Sequence, residues 1–252
     1  MGTNDGNKNK SPKFVLRDRK QVEVFDRFLR EYFKSQIQFT FGNISLLKAF
    51  DKCQKHPEGG RLFAALLDLE INLNLEFREL SIFGAEWNKH YTTKFFEGGG
   101  TVLDSKERFF SRMKAHQHTT AFVLRYRAIW DKLMGILILN YSPDNYEAFR
   151  KADSRKGKFK KLAKEIPELG EDFAKNTFEY LEQFDQIFRT PEVHWTGSLR
   201  KWSFLIGDPI SNPQAELMNS WNILSSNIDQ LVERLDIKFE KQNVKTELSY
   251  QI

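Results

Sequence analysis

The run LFAALLDLEINLNLEFRELSIFGAEW, Leu62–Trp87, carries apolar residues at intervals of three and four: Leu62, Leu66, Leu69, Leu73, Phe77, Leu80, Phe83 and Trp87. That spacing is one face of an α-helix. From Leu69 to Phe77 the same residues also alternate apolar with polar, as a half-buried strand would. Leucine, glutamate and asparagine are poor strand formers, and the helical stripe extends well beyond the alternating part on both sides. A long helix is therefore expected here, with a stop at Gly98-Gly99-Gly100.

The same periodicity recurs on either side. Val22, Phe25, Leu29 and Phe33 mark a short amphipathic helix, followed by a looser stretch from Gln36 to Gly42. A second helix is expected near Ile44–Lys55, stopped by Pro57 and Gly59-Gly60. The next long helix spans about Asp104–Asn140 with Phe109, Met113, His116, Val123, Tyr126, Trp130, Leu133 and Leu137 on one face, the expected spine of a bundle. A final helix should begin behind Ser211 or Asn212 with Pro213 in its first turn. Its seam, Leu217, Trp221, Leu224, Ile228, Leu231 and Leu235, steps by four and three, which suits packing within the bundle or a contact between two chains. The expected fold class is all-α, a helical bundle with long antiparallel helices.

With 252 residues, the chain can build one substantial core, and a single domain over 13–238 is expected between polar tails at 1–12 and 239–252. The 23 phenylalanines point to an aromatic interior. Its one cysteine, Cys53, excludes an intramolecular disulfide and a cysteine-cluster zinc site, and suits a reducing cytoplasm. The densest apolar run, Leu133–Leu139, falls far short of the ~20 residues of a membrane span. His56, His90 and His118 have no partners at metal-ligand spacing, so neither a metal nor another cofactor is expected. Arg125 and Arg127 read as structural ion-pair partners. No glycine-rich phosphate loop, nucleophile elbow or internal repeat is present.

The net charge of +5 permits a nucleic-acid partner. Seven basic residues between Arg150 and Lys161, among them Lys156, Lys158 and Lys160, face only Asp153. They could gather RNA phosphates or form a solvated loop and short helix.

Chemistry is most legible in Arg189-Thr190-Pro191-Glu192-Val193-His194. Arginine offers a permanently charged fork to phosphate oxygens, and a histidine near its unperturbed pKa of ~6.5 can take and return a proton. Five positions along an ideal helix amount to about 500°, leaving the two side chains roughly 140° apart. A break at Pro191 would change that. Thr190 reads as an N-cap, Pro191 as the first helical residue, and Glu192 and His194 as the opening turn of a second helix. Arg189 would close the preceding helix, whose apolar stripe reads Phe173, Thr177, Tyr180, Phe184, Ile187 and Phe188. It should point away from that stripe and be exposed. Arg200 and Lys201 follow closely enough to touch a substrate bound there. Arg112 and His118 lie inside an unbroken helical pattern and are set aside.

An R-x-x-x-x-H element at a helix junction in a basic, all-helical chain resembles the HEPN superfamily of helical ribonucleases and nucleotide-binding domains. The likeness covers roughly Gly170–Trp202. It implies a metal-independent endoribonuclease that leaves a cyclic phosphate, with Arg189 stabilising the transition state, His194 as general acid and base, and Thr190 and Glu192 in support. It further implies RNA as substrate, a composite site in a homodimer, room for a neutralising or regulatory protein, and a stress, toxin or phage-defence setting. Thr190 departs from the Asn, Asp or His common after the motif arginine. Inactive HEPN domains exist as well, so a non-catalytic helical module binding RNA, nucleotide or a partner protein stands as the alternative.

Overall fold

In a computed structural model the chain is described at residues 18–36, 43–44, 46–92, 106–193, 213–235 and 239–240. Two long helices organise it: α3, Gly59–Thr92, and α4, Lys106–Tyr141. Ion pairs along their seam join Asp68 to Lys132, Glu76 and Glu79 to Arg125, Glu79 to His118, and Glu86 to Lys114. The numbers rise on one helix as they fall on the other, so the pair is an antiparallel hairpin. At ~1.5 Å per residue, each helix is roughly 50 Å long. The alternation at Leu69–Phe77 is thus helical, as the wider stripe requires.

Before the hairpin come α1, Arg19–Gln36, and α2, Leu46–Cys53. Beyond it, a 3₁₀ turn at Pro143–Asn145 leads to α5, Tyr146–Arg150, and α6, Arg155–Glu165. A second 3₁₀ turn at Pro167–Leu169 leads to α7, Glu171–Phe184, followed by a π-helical turn at Asp185–Arg189, α8, Thr190–Val193, and α9, Pro213–Arg234. The fold is all-α. A two-residue antiparallel bridge pairs Asn43 with Glu240 and Ile44 with Phe239, so Ile44 precedes α2, and the first two residues of the expected C-terminal tail are tied down.

The α4 helix departs from a one-sided stripe. Every residue from Leu133 to Leu139 is buried, because α3, α5, α6 and α9 all pack on it. A helix covered on all sides has little use for a polar face. The α9 seam, Leu217 through Leu235, is buried within the chain itself, with Trp221 5.4 Å from the Phe77 ring and the Tyr126 hydroxyl donating to the Ser220 carbonyl at 2.7 Å. That seam is bundle packing and is closed to a partner chain. One apolar cluster runs from Val22 in α1 to Leu235 after α9.

Polar joints lock the ends. Glu58 N–H donates to His56 Nδ1 while His56 Nε2 meets the Asn140 carbonyl, both at 3.1 Å, so the ring is the neutral Nε2–H tautomer and pins the α2–α3 turn to the end of α4. The Ser154 side chain caps α6 by accepting from Gly157 N–H at 3.1 Å. Cys53 is a buried packing residue whose thiol is pushed up to about 12 by burial, against the pull of Lys52.

The expected break at Thr190 is not present. Thr190 is helical, with φ −62° and ψ −48°, and its N–H bonds the Asp185 carbonyl five residues back. Pro191 would clash with the Ile187 carbonyl in a regular α-helix and cannot donate to it, and the widened π turn opens where the ring needs room. The wider turn also shifts the packed face. Phe178, Leu181, Phe184 and Phe188 are buried, whereas Ile187, expected on the stripe, is 53% exposed. Tyr180 is half-buried against Trp130, and the side chains of Phe173 and Thr177 lie outside the described residues.

Gly170 joins the second 3₁₀ turn to α7 with φ +77°, where an added Cβ would lie 2.2 Å from the Arg234 guanidinium. Gly170→Ala should destabilise the fold by ~1–3 kcal/mol, since an L-residue is strained in that region. Urea unfolding of the two proteins checks this, and equal midpoints would contradict it.

Candidate functional site

Arg189 closes the π turn with its side chain 46% exposed, as expected of the motif arginine. Its Nη1 lies 3.8 Å from Asp185 Oδ1, and Asp185 Oδ2 lies 3.7 Å from Arg127 Nε on α4. Arg127 Nη1 donates to Asp131 Oδ1 at 2.8 Å, and Asp131 Oδ2 accepts from Arg155 Nη1 at 3.4 Å. Three arginines and two aspartates from α4, the start of α6 and the π turn thus form one ladder ending at Arg189. The last rung is long, and Asp185 Oδ1, a buried oxygen, accepts no hydrogen bond.

From Arg155 on, the basic segment becomes α6, which packs on α7. Phe159, Leu162 and Ala163 face the core, while Lys160, Lys161 and Lys164 are exposed. Lys156 is committed to Glu182 at 2.9 Å. That hydrogen bond, with the charges of Lys156 and then Lys160, holds the Glu182 carboxyl below its usual range. Lys158 is half-buried, which leaves Lys160 the freest of the three lysines expected to meet RNA. Glu171, Glu179 and Glu182 line a shallow groove with Lys160, Lys164 and Lys175, so the face of α6 beside α7 is balanced in charge and its outer face is basic.

The structure therefore brings the basic segment and Arg189 onto adjoining elements. Thr190 is exposed and helical, and acts as no cap. His194, Arg200 and Lys201 lie outside the described residues, as does the side chain of Glu192. Arg127, Asp131, Arg155 and Asp185 were not legible as site residues. The pairs Arg127/Asp131 and Asp185/Arg189 do stand at i, i+4 in the sequence, yet nothing local says that they meet.

A second polar cluster sits in the α3–α4 seam. Glu79 receives His118 Nδ1 at 2.5 Å and Arg125 at 3.6 Å, and the same Arg125 nitrogen lies 3.7 Å from Glu76. Arg125 is thus the structural partner expected of it. Neither Glu76 oxygen has a hydrogen bond, and its side chain is fully buried. Burial raises the Glu76 carboxyl well above its ordinary 4.5, with Arg125 opposing and Glu79 adding to the rise. One shared guanidinium without a hydrogen bond does not compensate a buried carboxylate, so Glu76 is the neutral member. Burial also pushes Glu79 up, but the His118 hydrogen bond and the charges of His118 and Arg125 outweigh it and hold Glu79 low. Among the described residues, no group of three His, Cys, Asp or Glu is placed to hold a metal.

Compared with family models, curated proteins and solved structures, the chain matches none. No helix among the described residues is long and apolar enough to cross a membrane.

A carboxyl with a raised folded pKa keeps its proton after the unfolded chain has lost one, so stability falls as pH climbs past the unfolded value. Glu76→Gln removes that titration. Relative to wild type, the variant should gain stability steadily from about pH 4.5 upward. Thermal unfolding at pH 4, 6 and 8 reads this directly, and a gain that shrinks with rising pH would contradict it.

Proposed function

We propose that this chain is a metal-independent endoribonuclease of HEPN type, acting in a cytoplasmic stress, toxin or phage-defence setting. The observation that supports it is the exposed Arg189, delivered by a π-helical turn, held by one long contact to Asp185, and joined through Arg127 and Asp131 to the start of a basic helix. Arg189 would neutralise charge building on the phosphoryl oxygens, and His194 would take the 2′-hydroxyl proton or protonate the leaving oxygen. The exposed lysines of α6, Lys160 and Lys161 among them, would draw in the RNA backbone, with Arg200 and Lys201 closer to the bond cut.

His194 lies outside the described residues, and the composite site that the resemblance implies sets Arg189 of one chain opposite His194 of its partner.

Purified protein in excess EDTA should cut RNA to 2′,3′-cyclic phosphate ends, and folded Arg189→Ala and His194→Ala variants should each lose ~10²–10⁴-fold in rate. Co-expressed, the two variants should recover part of the activity, because a mixed dimer holds one complete pair. RNA that survives wild-type protein, or is cut equally by the variants, overturns the nuclease reading. RNA bound but uncut would favour the binding module that the exposed lysines of α6 also suit.

A further inference from the structure

Away from Arg189, a cleft of about 560 Å³ opens between the first turns of α3, the second half of α4, and α5. That volume is in the range of small-molecule sites, ~300–1,000 Å³. It exists because Ala64, Ala65, Ala128 and Gly135 line the two long helices there and leave the space between them unfilled. Gly135 is the one glycine of α4, and within a helix it is worse than alanine by about 1 kcal/mol. A Cβ at that position would sit 3.5 Å from the rings of Tyr146 and Phe149, an ordinary contact. Those two rings close over the buried Gly135, so the open floor of the cleft is Ala64, Ala65 and Ala128.

The rim is charged. Arg61, Lys132, Arg150 and Arg155 line it against Asp68, Asp131 and Glu147. The carboxylates are shared: Glu147 serves Arg61 at 3.8 Å and Arg150 at 3.1 Å, while Asp131 serves Arg155 at 3.4 Å and Arg127 at 2.8 Å. Lys132 contacts Asp68. Four cations around three carboxylates leave positive charge and guanidinium donors unfilled, which a phosphate would complete through bidentate hydrogen bonds. The alanine floor, half-buried at Ala64 and Ala65 and exposed at Ala128, is apolar and suited to a ring. Asp68 and Asp131 offer acceptors to hydroxyl or amino groups.

We infer that this cleft binds a small phosphorylated ring compound, its phosphate on Arg61, Arg150 and Arg155 and its ring over Ala64 and Ala128. The site contains neither Arg189 nor His194 and shares only Asp131 and Arg155 with the ladder, so its test uses Arg150 and Ala128, which lie outside that ladder. Isothermal titration of the full chain with ribose 5-phosphate, AMP, ribose, adenosine and inorganic phosphate tests it. One of the two phosphorylated ring compounds should bind at least tenfold more tightly than inorganic phosphate and than its own unphosphorylated form. Arg150→Gln should weaken that binding at least tenfold. Ala128→Trp changes an exposed residue of the lining, fills the cleft without touching a charge, and should abolish binding while thermal unfolding shows the chain still folded. No binding by either phosphorylated compound, inorganic phosphate binding equally well, or affinity unmoved in folded Arg150→Gln and Ala128→Trp would each overturn the proposal.

Discussion

The α4 helix, buried on every side from Leu133 to Leu139, governs the arrangement of everything around it. Burying an aliphatic side chain fully is worth about 1.5–3 kcal/mol, and only neighbours on all sides can bury this run. The first half of α3 covers one side, α9 another, and α5 with α6 the rest. The cleft forms on this same surface, where alanine and glycine replace larger side chains along the hairpin.

Polar groups within the seam follow from the same packing. Antiparallel helices of this length bring charged residues face to face at every turn, and the pairs outside the core stay at its wetter edge. Glu76 is the most deeply buried of the α3 glutamates, drawn inside with only a shared arginine for company. Its carboxyl stays protonated because burial outweighs the available attraction, while Glu79, one turn away and bonded to His118, stays ionised.

At the motif, one proline acts through the backbone. A regular helix could not carry Pro191 past the Ile187 carbonyl. The π turn gives the ring room and keeps the chain helical through Thr190. It buries Phe188, exposes Ile187, and leaves Arg189 at the surface beside Asp185. Sequence reasoning anticipated a junction at this proline and an exposed arginine. It expected a cap where the chain instead widens its helix, because a cap and a π turn both answer the same missing N–H and the residues flanking the proline do not distinguish them.

Helical class, the positions of the long helices and the seam of α9 were all legible, since periodicity and proline or glycine stops are local properties that any helix must display. The exposure of Arg189 and the packing role of Cys53 were legible on similar grounds. Which faces meet was not. The ladder from Arg155 to Arg189, the neutral Glu76, and a cleft floored by Ala64 and Ala128 each join residues from separate helices. A charge or a small side chain carries no mark of its partner until packing of the core sets the distance between them, and those distances belong to the folded chain alone.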